Sequence, residues 1–207
     1  NIEDLIKDKD KLYITTKYKD QYYKVYYNIV DSNKSITKKD NTIVLYWIND
    51  TEYVNLQKEF MDKKIAVCVA YIDNYDEVKS STSEVNRPLV FAEIDKTINA
   101  FATSNEGLVR KYESDKYIIV MESRFLREIQ KKRFEILDEI REIDKGNDIK
   151  VTLSMGVGIN GKNPIENYEY ARAAVDIALG RGGDQVVVKD GNNLSFYGGK
   201  SKAVEKR

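Results

Sequence analysis

The eight residues Ile65-Ala66-Val67-Cys68-Val69-Ala70-Tyr71-Ile72 form a run of strand length without one charged side chain. It is too short to cross a membrane, and it keeps no alternate position for water. It reads as a β-strand buried on both faces, which forces the surrounding chain to supply layers above and below it. The following segments answer that demand. From Pro88 to about Thr103, Val90, Phe91, Ile94 and Ile98 recur at helical spacing. Gly107–Tyr112 and Tyr117–Met121 read as paired strands joined by the polar turn Glu113-Ser114-Asp115-Lys116. Leu126 to about Asp144 is predicted as one amphipathic helix, with Ile129, Phe134, Leu137, Ile140 and Ile143 on or near one stripe. Val151–Ile159 is strand, and Glu166–Leu179 is helix, closed by Gly180, Gly182 and Gly183 as C-cap signals. Val186–Lys189 and Leu194–Tyr197 make a last hairpin around Asp190-Gly191-Asn192-Asn193. The order β-α-β-β-α-β-α-β-β from Lys63 is that of an α+β, ferredoxin-like core with extensions.

The first fifty residues have another character. Lys11–Thr16, Tyr22–Val30 and Thr42–Ile48 are β-branched and aromatic, and Asp31-Ser32-Asn33-Lys34 separates the last two. Seven of the 15 tyrosines fall here, as expected of a half-exposed sheet surface. Three strands without a helix layer cannot bury both faces, so this block needs a partner. Asp50 or Thr51 is placed to cap a helix over residues 51–62. The division expected is therefore a sheet over 1–50, a linker helix over 51–62, a domain over 63–198 and a tail over 199–207.

Composition removes several chemistries. There is no histidine among 207 residues, which excludes Ser-His-Asp and Cys-His nucleophile systems, histidine metal sites and imidazole bases. Thirty-four basic residues balance 34 acidic ones, so no global field favours nucleic acid. Cys68, alone and inside the apolar run, has no disulfide mate and reads as a buried thiol in a reducing compartment. No run approaches membrane-span length and no signal peptide opens the chain, so the segment itself is expected to be soluble. Its abrupt start at Asn1 and its end at Lys200-Ser201-Lys202-Ala203-Val204-Glu205-Lys206-Arg207 read as a piece of a longer protein.

Four strings in sequence then resemble the GGDEF domain of nucleotide cyclases. Tyr71-Ile72-Asp73-Asn74-Tyr75 stands where that family has Asp-Ile-Asp-x-Phe, and Tyr112-Glu113-Ser114-Asp115-Lys116-Tyr117 where it has its signature turn. Val151-Thr152-Leu153-Ser154-Met155-Gly156-Val157 is similar to its Val-Thr-x-Ser-Ile-Gly strand, and Ala171–Val186 to its last helix and turn. Ala178–Gln185 and Phe196–Ser201 further resemble the cyclic-di-AMP phosphodiesterases of the GdpP (YybT) type. That resemblance implies a parent with two membrane helices, a PAS domain, a degenerate GGDEF domain and a DHH/DHHA1 phosphoesterase that needs Mn²⁺. Residues 1–50 would be the C-terminal part of the PAS-like domain. Asn49-Asp50-Thr51 would be its Asp-x-Thr exit, with asparagine for the aspartate. The segment would lie at the cytoplasmic face of a membrane-anchored protein, with a homodimer and the absent DHH/DHHA1 domain as partners.

In the family the metals rest on the first aspartate, the next backbone carbonyl and the signature glutamate. Those side chains are Tyr71 and Lys116 here, so two of three ligands are gone and one is a like charge. The two glycines that admit phosphates are Glu113 and Ser114, and the guanine-reading positions are Lys79 and Pro88. The inhibitory Arg-x-x-Asp site falls at Ser104–Gly107 and is absent, and Leu179 replaces a phosphate-binding lysine. Two-metal cyclisation and guanine selectivity are not expected. Carboxylates still crowd the region at Asp73, Asp76, Glu77, Glu113 and Asp115. They read either as a solvated loop surface or as an altered nucleotide site. The second set would be Tyr71, Asp73, Lys79, Glu113, Ser114, Asp115 and Lys116, with Lys116 on a phosphate of ATP and Asp73 and Asp115 as weak Mg²⁺ contacts. Arg181-Gly182-Gly183-Asp184 follows a helix instead of preceding one, so it reads as a C-cap and not as a phosphate loop. Two functions stay open: a weak ATP-binding or ATPase domain, and an inert dimerising relay.

Overall fold

The computed structural model describes residues 13–31 and 41–198. The chain falls into two compact units, residues 1–60 and 61–207.

In the first unit β1 (Tyr13–Tyr18), β2 (Gln21–Asp31) and β3 (Asn41–Asn49) form an antiparallel sheet in the order β1-β2-β3. The two-residue turn Lys19-Asp20 holds both φ values positive, at 45° and 62°, as the twist of a tight hairpin requires. Of its hydrophobic side chains with described burial only Val25 is buried, while Tyr46, Trp47 and Ile48 stand exposed. The first residues expected in strand, Lys11 and Leu12, and the turn residues Ser32–Lys34 lie outside the described residues. The helix α1 (Thr51–Asp62) follows, and the Val54 amide bonds back to the Asp50 carbonyl at its start at 3.0 Å. The Asp50 carboxylate pairs with Lys24 at 3.0 Å, and Thr51 Oγ1 accepts from the Tyr22 amide at 2.9 Å. Both side chains tie the helix start back to β2.

The second unit is a six-stranded sheet, β5-β6-β4-β7-β8-β9. Its strands are β4 (Ile65–Ile72), β5 (Leu108–Lys111), β6 (Lys116–Glu122), β7 (Leu153–Ile159), β8 (Gln185–Asp190) and β9 (Asn193–Gly198). Helices α2 (Tyr75–Ser81) and α3 (Arg87–Ser104) link β4 to β5. Helices α4 (Ser123–Lys131) and α5 (Ile136–Arg141) link β6 to β7, and α6 (Pro164–Gly180) links β7 to β8. All neighbours are antiparallel except β7 and β8, which the α6 crossover makes parallel. The first four strands give the ferredoxin-like order.

Strand β4 is buried on both faces. Ala66, Cys68, Ala70 and Ile72 pack with α3, α4 and α5, while Val67 and Val69 pack with Ala171 and Val175 of α6. Burial pushes the Cys68 thiol up to about 12, so it stays protonated and inert. Helix α6 lies directly on β7 because two residues there have no side chain. A Cβ at Gly156 would sit 2.0 Å from the Ala171 carbonyl oxygen, and one at Gly158 would sit 1.9 Å from that of Asn167.

Two helical expectations need correction. Helix α2 was not foreseen, since Asp76, Glu77, Lys79 and two serines leave Val78 as its one buried residue. The single helix expected over 126–144 is two, broken at Arg133 and Phe134, whose φ values are 56° and 57°. An unbroken helix would carry Arg133 on the stripe of Leu126, Ile129, Leu137 and Ile140 and turn Phe134 to its side. The break exchanges them. Arg133 is exposed, and Phe134 is buried 5.0 Å from the Tyr197 ring. Burying an aromatic ring and avoiding an unpaired buried cation together outweigh two strained residues.

Candidate functional site

The register Tyr71↔Lys116 sets the end of β4 beside the β5–β6 turn, and the Ile72 amide donates to the Asp115 carbonyl at 2.9 Å. Beyond it the chain turns into α2 and leaves an open cleft of about 490 Å³. Of the seven residues proposed from sequence, Asp73, Lys79, Ser114 and Asp115 line this cleft, together with Asp76 and Glu77. Tyr71, Glu113 and Lys116 do not line it. Tyr71 packs on the opposite face of the sheet, with Val67, Val69 and Ile118 against α6, and its register partner Lys116 shares that face.

Lys116 is already engaged there. Its Nζ lies 2.6 Å from Glu113 Oε2 and 5.3 Å from the centre of the Tyr71 ring. The hydrogen bond to Glu113 raises the Lys116 pKa, so the ammonium is permanent at physiological pH. The Tyr112 hydroxyl reaches toward that of Tyr71 at 3.5 Å, and burial and then this contact push the Tyr112 phenol well above its ordinary value. The Lys116 ammonium thus lies between the Tyr71 ring and the Glu113 carboxylate.

Asp73 is tied into the fold. Its Oδ2 accepts from the Asp184 amide at 2.8 Å, and a Cβ on Gly183, at φ +74°, would fall 2.8 Å from that oxygen. Burial raises the Asp73 pKa against the pull of the Ser154 hydroxyl and then of the Asp184 amide. Its Oδ1 is buried without a hydrogen-bond partner. The Arg181–Asp184 turn is the C-cap expected, since the amides of Gly182 and Gly183 return to the carbonyls of Leu179 and Ala178 at 3.0 Å. The Asp184 carboxylate is held by Arg141 Nε at 2.7 and 2.8 Å. Sequence reasoning missed Arg141. It also missed Asn74, whose Oδ1 accepts from the Thr152 amide and whose Nδ2 donates to the Lys150 carbonyl. Asn74 stands inside the string that marks the site, but only tertiary placement shows that it bonds across to the start of β7.

The cleft itself is acidic, with Asp73, Asp76, Glu77 and Asp115 around the single lysine Lys79. A bare triphosphate would meet net repulsion there. Among the described residues no cluster of three or more Cys, Asp or Glu side chains could hold a metal ion. Pro88 opens α3 in its first turn and offers no hydrogen bond to a base. No helix among the described residues is long and apolar enough to cross a membrane.

This architecture is that of a GGDEF domain. The active GGEEF domain of a diguanylate cyclase from Vibrio cholerae superposes with a TM-score of 0.53 at 13% identity, covering 67% of this chain and 90% of that one. The GGDEF domain of DgcB from Caulobacter crescentus, in complex with c-di-GMP, gives 0.53 at 14% identity, covering 66% and 84%. Sequence narrows the class further. Residues 70–196 match the family described as cyclic-di-AMP phosphodiesterase GdpP-like, GGDEF domain, and the chain belongs to that family. It is 32% identical over 173 residues to the cyclic-di-AMP phosphodiesterase GdpP of Bacillus subtilis, covering 83% of this chain and 26% of that protein. It is 33% identical over 165 residues to the cyclic-di-AMP phosphodiesterase PdeA of Listeria monocytogenes, covering 79% and 25%. The chain thus spans about a quarter of the length of these curated relatives.

Proposed function

We propose that the GGDEF-like unit is a regulatory domain of a cyclic-di-AMP phosphodiesterase and makes no cyclic dinucleotide itself. The observation that carries this reading is Lys116. Its ammonium, paired with Glu113 and set over the Tyr71 ring, stands where the family resemblance expects a metal-ligating glutamate. A metal brought there would meet a fixed like charge and a neutral phenol, so the triphosphate chemistry of the fold has no electrophilic partner. Hydrolysis would belong to a DHH/DHHA1 unit with Mn²⁺ elsewhere in the parent, since a chain without histidine holds no DHH motif. Residues 1–50 would be the end of a PAS-like domain, and α1 the linker that passes its state on within a homodimer at the cytoplasmic face of the membrane. The test is incubation of the 207-residue chain with GTP or ATP and Mg²⁺, followed by chromatography for cyclic dinucleotides. Product that scales with protein concentration would overturn the reading.

A second reading is a weak ATP site. Lys79 on the cleft wall favours it, because among the described residues it is the one cation lining the acidic pocket. Saturable ATP binding by calorimetry that Lys79→Ala abolishes would establish it. No heat of binding leaves the inert relay.

A further inference from the structure

Helix α6 covers only part of its side of the six-stranded sheet. Strand β4 is buried on both faces, but β6 alternates: Tyr117, Ile119 and Met121 are buried on the α3 side, while Lys116, Ile118, Val120 and Glu122 are half-buried on the α6 side. Next to them on β5, Leu108 is 78% exposed and Arg110 is also exposed, whereas Val109 packs into the core. The register Leu108↔Val120 and Arg110↔Ile118 makes these four side chains one continuous strip. The strip is two strands wide, about 10 Å, which is the diameter of one helix. Its inner wall is α6, where Tyr168 packs with Ile118 and Arg172 lies over the Tyr168 ring.

We propose that this strip docks an acidic amphipathic helix from a partner polypeptide, laid beside α6 to complete the helix layer. Charge selects the occupant. The acids at the ends of the strip are already paired with cations, Glu113 with Lys116 at 2.6 Å and Glu122 with Arg124 at 2.7 Å. Arg110 and Arg172 have no ion-pair partner among the described residues. What the strip lacks is an apolar stripe for Leu108, Ile118 and Val120 with carboxylates along its flanks. A second copy of the same face would bring arginine to arginine, and nucleic acid would find apolar side chains with only two uncommitted cations.

The experiment uses the whole 207-residue chain and a synthetic helical peptide of about 18 residues, with a leucine stripe flanked by glutamates. A matched peptide has lysine flanks. Fluorescence anisotropy should show saturable binding of the glutamate peptide and at least about tenfold weaker binding of the lysine peptide. Leu108→Ser and Arg110→Glu, both at exposed positions, should each weaken the glutamate peptide about tenfold, while Leu194→Ser on the far edge strand should not. No saturable binding, equal affinity for both peptides, or indifference to Leu108→Ser would overturn the proposal. So would self-association, followed by sedimentation, that Leu108→Ser abolishes, because the strip would then belong to a second copy.

Discussion

At residue 116 an ammonium held by Glu113 and the Tyr71 ring stands where the resemblance expects a carboxylate, and the two charges would treat a triphosphate in opposite ways. If ATP approaches the β5–β6 turn, Lys116→Glu should weaken its binding several-fold in metal-free buffer, because a carboxylate repels the triphosphate. Added Mg²⁺ should restore part of that loss, and only part, since Tyr71 still withholds the second carboxylate. Calorimetry on wild type and variant, with and without Mg²⁺, checks both signs. Unchanged affinity in both buffers means that the nucleotide does not use this turn, in keeping with the engagement of Lys116 by Glu113 and its position away from the cleft. Asp73 carries the other residue-scale prediction. Its folded pKa is raised by burial, so the native state holds this proton more tightly than the unfolded chain does. The stability it contributes is present at low pH and is lost as pH rises from the ordinary carboxylate value through the raised one. Asp73→Asn keeps an oxygen to accept from the Asp184 amide and removes the charge. The variant should therefore gain on wild type in urea denaturation as pH climbs from about 4 toward neutrality. A pH-independent difference would contradict the burial of this carboxyl.

Elements, more than single residues, explain where sequence reasoning succeeded and failed. Strand β4 was legible because a run without polar alternates can only be buried twice over, and it lies between α3 and α6. The break between α4 and α5 was not legible. The apolar residues fit one helix well, and only the core around Tyr197 decides that Phe134 and not Arg133 turns inward. Phe134→Ala should cost about 3–5 kcal/mol in denaturant unfolding, as loss of a fully buried aromatic does. The seam of α6 on β7 is less tolerant still. Gly156→Ala sets a methyl group against backbone 2.0 Å away, and backbone does not yield as a side chain can. The helix must lift from the sheet, with an expected loss of about 3 kcal/mol or more. A variant as stable as wild type would mean that α6 does not lie at this depth.

On the scale of the whole molecule, the 207-residue chain should hydrolyse no cyclic-di-AMP, with or without Mn²⁺, because it has no histidine to build a phosphoesterase metal site of the DHH kind. Turnover that survives repurification and tracks protein concentration would remove that argument. The β-α-β-β order, the two-faced strand and the absence of histidine were all present in the order of residues. They depend on periodicity and residue type, which are local and additive along a chain. The partition of the proposed site was not. Asp73, Lys79, Ser114 and Asp115 line one cleft, while Tyr71, Glu113 and Lys116 gather on the other side of the sheet beside α6. Positions 71 and 73 are only two apart, yet one ends in the α6 core and the other is fastened to a turn 111 residues away. Which long-range contact each side chain finds depends on how the α6–β8 turn and the β5–β6 turn pack around the end of β4. Only tertiary structure settles that, because the hydrogen bonds and ion pairs that fix those side chains exist once the chain has closed upon itself.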